Sequence, residues 1–253
     1  MNRIRAAAGR PYAATVWLAL FAGGALLGCT AEETPGVTLV QTEKRAAARA
    51  PLRQVVLIGD SLAFGTGDES GKGIAGWLDD ELRRRGVRSQ PTVNLGLNGA
   101  TTADVASRLQ REDVRSAIAR ADAVVLSVGA NDLVRVPGAR EEAMRAPFVA
   151  ARKTLDRVAA IVETILEINP DARVLVLGGY NPFPQHPYAP LVVRYLAVWD
   201  ASVMEEFEAE PRVAIVRMSD IVGAERLSSH DRFHPGKDAY RVTAHRIAGM
   251  LLG

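Results

Sequence analysis

Five short apolar runs recur along the chain beyond residue 50. They are Val55-Val56-Leu57-Ile58, Thr92-Val93-Asn94-Leu95, Ala123-Val124-Val125-Leu126-Ser127-Val128, Arg173-Val174-Leu175-Val176-Leu177 and Val213-Ala214-Ile215-Val216. Each is rich in β-branched residues and too short for a helix, so each is read as a strand. The first, third and fourth scarcely alternate apolar with polar positions, the pattern of strands buried on both faces of a parallel sheet. Between the strands the apolar period lengthens. Ile74, Trp77, Leu78 and Leu82 share one helical face, with Asp79, Asp80, Glu81 and Arg83-Arg84-Arg85 opposite and Gly86 as a stop. Thr101 or Thr102 is placed to cap a helix reaching Leu109. A long helix over about 141–168 carries Leu155, Val158, Ile161, Val162, Ile165 and Leu166, with Pro147 interrupting it early and Asn169-Pro170 ending it. Further helices are predicted over 191–210 and 236–252. Strands alternating with helices make βαβ crossovers, hence one α/β domain over 52–253 built on a parallel sheet.

The first 51 residues break this pattern. Arg3, Arg5 and Arg10 precede an uncharged run over 11–28 that includes Val16-Trp17-Leu18-Ala19-Leu20-Phe21. Charge followed by an apolar run is the layout of a secretory signal, and the lack of an Arg-Arg pair favours the general export route. The run ends in Leu26-Leu27-Gly28-Cys29, where Cys29 is the sole cysteine and so has no internal disulfide partner. Leu-x-Gly-Cys at this place resembles the bacterial lipobox. That resemblance implies cleavage before Cys29, acylation of its thiol and anchoring to a membrane, outside the cytoplasm at the periplasm or cell surface. A retained signal-anchor helix is the alternative reading, because the run approaches the length that spans a bilayer. Residues 30–51 mix Thr, Glu, Gln, Ala and Arg without periodicity and read as a solvated tether. The chain therefore divides into a signal at 1–28, a tether at 29–51 and a folded domain at 52–253.

Charge changes the picture only once the leader is set aside. The formal net charge is +2, and losing three arginines with no acidic residue before Cys29 leaves −1. Such a balance carries no electrostatic footprint for nucleic acid. Four histidines and one thiol, without His-Glu-x-x-His or paired-cysteine spacing, give no metal site, and no cofactor is implied.

The chemistry gathers at strand ends. In an open α/β sheet, ligands bind outside the carboxyl ends of the strands. The first strand runs into Gly59-Asp60-Ser61-Leu62, the second into Gly96-Leu97-Asn98-Gly99, the third into Gly129-Ala130-Asn131-Asp132, and the last loop holds Ser229-His230-Asp231-Arg232-Phe233-His234-Pro235. Acyl transfer by a serine needs a base, a carboxylate that orients the base, and donors for the developing oxyanion. Asp231 and His234 are spaced so that a turn can fold the carboxylate back onto Nδ1, leaving Nε2 for Ser61. The Ser61 N–H, a glycine N–H after the second strand and the Asn131 amide are candidate donors. Capping supplies the plain alternative for each residue singly, including Ser61 as the cap of the next helix. His230 competes with His234 as base, whereas His186 and His245 read as surface or packing histidines. The glycine-rich stretch over 63–73 lacks the spacing of a phosphate-binding loop and reads as a flexible rim of the crevice. The aromatic Tyr180-Asn181-Pro182-Phe183 stretch suits a pocket wall.

Taken in order, Gly59-Asp60-Ser61-Leu62, Gly99, Gly129-x-Asn131-Asp132 and Asp231-x-x-His234-Pro235 resemble the SGNH, or GDSL, hydrolase superfamily. The resemblance spans nearly the whole domain. It implies a flavodoxin-like three-layer sandwich, a five-stranded parallel sheet with helices on both faces. It also implies Ser61 as nucleophile, His234 as base, Asp231 as its partner, and an oxyanion hole from Ser61, Gly99 and Asn131, with Gly99 preferred to Gly96 by the layout of that block. The expected activity is that of an exported esterase or lipase acting on a small acyl ester, of a lipid or an acylated sugar, through an acyl-serine intermediate. Carbohydrate deacetylation and lysophospholipase or thioesterase action are the related alternatives. A non-catalytic binding lipoprotein on the same scaffold is the alternative of a different kind.

Overall fold

A computed structural model of the protein describes residues 52–253, apart from 136, 137, 140, 141, 143, 144 and 188. The expected signal segment at 1–28, Cys29 and the tether up to residue 51 lie outside the described residues.

The five predicted strands are present as β1 (Val55–Gly59), β2 (Val93–Gly96), β3 (Ala123–Ser127), β4 (Arg173–Leu177) and β5 (Val213–Val216). They form one parallel sheet in the order β2-β1-β3-β4-β5, the flavodoxin-like arrangement, whose topological switch point lies between β1 and β3. The side-chain period of two divides each strand between two cores. Val56, Ile58, Val124, Leu126, Val174 and Val176 face one side and Val55, Leu57, Ala123, Val125, Leu175 and Leu177 the other, all of them buried. This double burial is why the strand sequences read as continuous apolar runs.

Helices cover both faces. On the first lie α3 (Thr102–Arg108), α4 (Glu112–Ala119), α6 (Pro147–Ile168) and α7 (Ala189–Glu206); on the second lie α1 (Ser61–Phe64), α2 (Gly73–Arg84) and α8 (Lys237–Leu252). A single turn of helix, α5 (Asp132–Arg135), follows β3. Thr101 caps α3 in a reciprocal capping box with Asp104. The long helix is interrupted early, as Pro147 implies: residues 142 and 145 are helical, Ala146 is not, and Pro147 opens α6, where its missing N–H costs nothing. The helix α4 escaped the sequence reading because only Val114 and Ile118 mark its buried face.

The junction after β1 is the tightest point of the fold. Gly59 has φ +142°, and a Cβ there would stand 1.8 Å from the Ser127 carbonyl oxygen, so only glycine lets β1 and β3 end side by side. Asp60 then caps α1: its Oδ1 accepts from Leu62 N–H at 3.0 Å and from the Ser127 hydroxyl at 2.6 Å. The capping task is therefore done by Asp60, which leaves the Ser61 hydroxyl for other use. The stretch read as a flexible rim is instead anchored. Buried Asp68 accepts from Ser70 N–H and Oγ on one oxygen, and from Gly73 N–H and the Trp77 indole, each at 2.8 Å, on the other. Glycines gave the stretch its flexible look, but a satisfied internal carboxylate orders it.

Asp60 carries a pH signature. Burial pushes its carboxyl up to about 6, against the lowering effect of the Ser127 hydroxyl and the Leu62 N–H. A folded-state value above the unfolded 3.8 means that the group favours folding fully below that value and loses this contribution as pH rises through about 6. Asp60→Asn retains an acceptor for both hydrogen bonds and removes the charge. Urea unfolding from pH 3.5 to 8 is expected to give parent and variant curves that diverge between pH 4 and about 7, the variant gaining on the order of 2–3 kcal/mol relative to its low-pH difference. Parallel curves refute the assignment.

Candidate active site

Ser61 is the first residue of α1, immediately beyond the carboxyl end of β1. His234 and Asp231 lie in the loop that leads from β5 to α8. The structure brings these three together: His234 Nε2 is 3.0 Å from Ser61 Oγ, and His234 Nδ1 is 2.6 Å from Asp231 Oδ2. The two ring nitrogens thus have separate partners, a carboxylate on one side and a hydroxyl on the other. The second carboxylate oxygen accepts from the Phe233 and His234 N–H groups, each at 2.9 Å, and folds the tetrapeptide into a turn. That turn needs Arg232 at φ +52°, the positive-φ non-glycine residue of the described chain. A left-handed arginine costs on the order of 1 kcal/mol or more, and the surrounding bonds hold it there. Partial burial works against the Asp231 charge, yet the His234 side chain and the two N–H groups outweigh it and hold the carboxyl below its ordinary value.

His230 stays apart from this arrangement. It is exposed, and its own N–H donates to Ser228 Oγ. His245 pairs with Glu81 at 2.8 Å on the surface of α8.

The donor side is assembled from β2 and β3. Gly96 and Gly99 take different tasks. Gly96 N–H is spent on Asn94 Oδ1 at 2.8 Å, and a Cβ at Gly96 would stand 2.1 Å from Phe64 N, which makes this residue a packing glycine. Gly99 sits at φ +74°, and among the described residues neither its N–H nor that of Ser61 donates to a protein acceptor. Asn131 Nδ2 donates to Ala100 O at 3.0 Å, joining the β3 loop to the β2 loop and leaving one amide hydrogen over. Asp132 fixes the same junction: it is buried and accepts from Thr102 N–H at 3.0 Å and from the Thr102 hydroxyl.

Two contributors had no local signal in the sequence for the contacts they make with the histidine loop. Glu69, in the stretch after α1, accepts from Ser229 N–H and Oγ, both at 3.1 Å, on Oε1 and from Lys237 N–H at 3.0 Å on Oε2. One exposed carboxylate thereby grips the histidine loop before and after His234. Hydrogen bonds from its own and the Lys237 backbone N–H hold its carboxyl down to about 2, so it remains ionised throughout the working range. Tyr180, after β4, donates its hydroxyl to Phe233 O at 3.0 Å. It belongs to the stretch read as a pocket wall, and it also steadies the residue next to His234. Phe183 continues that wall: its ring lies 5.5 Å from Phe233, and Phe233 meets the His234 ring edge-on at 5.0 Å. Phe183 and Phe233 remain 50% and 40% exposed, so an apolar surface opens to solvent beside the imidazole.

Known proteins resemble this chain in sequence or fold. The chain is 28% identical over 204 residues to the uncharacterised protein YpmR of Bacillus subtilis, covering 76% of this chain and 79% of that one. Among solved structures, the lipase Lip_vut3 from a goat rumen metagenome superposes with a TM-score of 0.64 at 19% identity, covering 78% of this chain and 96% of the lipase. A family 3 carbohydrate esterase of Clostridium thermocellum gives 0.59 at 20% identity, covering 81% and 100%. At such identities these two establish likeness of fold. The sequence model of GDSL-like lipases and acylhydrolases matches residues 57–242, from within β1 to within α8. With that match reaching across every strand of the sheet, the chain belongs to the GDSL-like lipase/acylhydrolase family.

Proposed function

We propose that the protein is an exported serine esterase, tethered to a membrane through acylated Cys29, that cleaves carboxylic esters by way of an acyl-Ser61 intermediate. The observation that carries the reaction is the bonded series from Asp231 through His234 to Ser61. His234 Nε2 takes the Ser61 proton as Oγ attacks the ester carbonyl carbon, and Asp231 holds Nδ1–H and balances the imidazolium. The carbonyl oxygen becomes an anion facing the uncommitted N–H groups of Ser61 and Gly99 and the Asn131 amide. Collapse expels the alcohol, which leaves with the proton from His234. Water then enters and gives a proton to the same nitrogen as its oxygen attacks the acyl carbon; collapse breaks the bond to Ser61 Oγ, which takes that proton back from His234 as the acid leaves. The apolar surface formed by Phe183 and Phe233 supports an acyl or sugar-ring contact beside the base. Family membership supports ester hydrolysis in general. The neighbours named as a lipase and a carbohydrate esterase span the substrate range to be tested. Export and anchoring rest on Arg3, Arg5 and Arg10, the uncharged run that follows them, and Cys29.

Ser61→Ala is expected to abolish labelling by a fluorophosphonate probe and to lower kcat on acylated sugars, lysolipids or thioesters by at least about 10⁴-fold, as loss of a nucleophile does elsewhere. Labelling that persists in the variant refutes the nucleophile. Glu69→Ala frees both ends of the histidine loop and is expected to cost roughly ten- to hundred-fold in kcat with little change in KM, whereas Glu69→Gln retains an acceptor and recovers part of the loss. Equal activity of Glu69→Ala and the parent removes Glu69 from the positioning of His234. Cys29→Ser is expected to move the protein out of the membrane fraction with esterase turnover intact; retention in membranes points instead to an uncleaved anchor.

A further inference from the structure

One cation stands at the mouth of this site without a task in the chemistry above. Arg135 closes α5, one turn beyond Asn131, and its backbone N–H donates to Asn131 O at 2.9 Å. The side chain reaches back across the β2 loop. A Cβ on Gly99 would lie 2.9 Å from Arg135 Nη2, 3.0 Å from Cζ and 3.4 Å from Nε, so the guanidinium covers the α-carbon of the residue whose N–H is left uncommitted. Glycine is required at position 99 for its positive φ, and it also leaves the room in which the guanidinium of Arg135 rests.

The charge of Arg135 is exposed, and among the described residues no carboxylate stands within ion-pair distance of it. The acid within reach of its field is Asp104, whose Oδ2 is engaged by the Thr101 N–H at 2.8 Å and hydroxyl at 2.7 Å. A neighbouring cavity of about 360 Å³ between α5 and α6 offers no rival site for an anion, because its cations are matched. There Lys153 pairs with Glu142 at 2.5 Å and Arg157 with Asp132 at 3.5 Å. A planar guanidinium fork that is set against the site, with no carboxylate in ion-pair contact among the described residues, is suited to bidentate contact with a carboxylate or phosphate.

We propose that Arg135 is the specificity residue for an anionic substrate, an ester whose acyl or alcohol part bears a carboxylate or phosphate within one guanidinium's reach of the scissile carbonyl. The proposal deepens the hydrolase reading and rests on it. Binding leaves the reaction at Ser61 unaltered and adds a contact that neutral esters lack. The same cation also lies near the developing oxyanion, and the two roles separate experimentally: an oxyanion effect acts on every ester alike, whereas recognition acts on anionic esters.

The test compares matched pairs of esters with the full-length protein and its Arg135→Gln and Arg135→Lys variants. For an anion on the acyl side the pair is mono-4-nitrophenyl glutarate and 4-nitrophenyl pentanoate; for the alcohol side it is an acylglycerol phosphate and the corresponding monoacylglycerol. In one pair the parent is expected to favour the anionic member in kcat/KM. That preference is expected to fall about tenfold or more in Arg135→Gln, to survive in part in Arg135→Lys, and to shrink as salt is raised. The pair that responds identifies the side carrying the charge. A parent with no preference in either pair overturns the proposal, as does an equal loss on neutral and anionic esters in Arg135→Gln. Fluorophosphonate labelling of each protein keeps the two ideas apart: labelling without anionic preference sinks the subsite alone, and a parent that neither labels nor hydrolyses any ester sinks the hydrolase reading with it.

Discussion

The imidazole of His234 must stay between an oxygen three residues away and another 173 positions earlier in the chain. The first contact is local and nearly automatic once the Asp231 turn forms. The second requires that the loop before α8 be docked against the loop after β1, with errors well below an ångström if a proton is to pass. Backbone alone does not supply such docking. It comes from side chains that cross the gap: Glu69 gripping Ser229 and Lys237, Tyr240 donating its hydroxyl to Thr66 O at 2.7 Å, and Tyr180 holding Phe233 O. None of these hydrogen bonds is made to the imidazole itself, yet each limits where it can go.

Electrostatics and packing cooperate at the same edge. The close approach at Gly59 lets β1 and β3 end together, and Asp60 bridges them while capping α1. A buried carboxyl raised to about 6 lies one residue from Ser61, in a place where full ionisation is costly. Asp231, by contrast, is more open and kept ionised by hydrogen bonds. Two acids of ordinary type are thus driven in opposite directions by their surroundings, the first toward the neutral form that caps and bridges, the second toward the ionised form that holds the His234 imidazole.

The surroundings of the site have a different character. Phe183 and Phe233 expose apolar surface beside His234, whereas Arg135 contributes a charge set against Gly99. Family membership leaves these features open, because pocket specificity resides in loops that differ among proteins of one fold.

The sequence by itself determined the sheet. Apolar runs of four to six residues with helical spacing between them admit little besides a parallel α/β layer structure, and the double burial of β1, β3 and β4 bears this out. The spacing from Asp231 to His234 also made their contact legible, since three residues and a following proline are a local matter. Only the tertiary structure decided the rest. It gave a physical reason for preferring Gly99 to Gly96 by showing which N–H was already spent, gave the capping role to Asp60 rather than Ser61, and turned a glycine-rich stretch into an anchored one through Asp68. Glu69 and Arg135 were silent in the sequence, and Tyr180 was legible only as part of a pocket wall, for one physical reason: a side chain that acts on distant atoms leaves no periodicity in its own neighbourhood. Its meaning appears only when folding brings its partners within hydrogen-bond or contact distance.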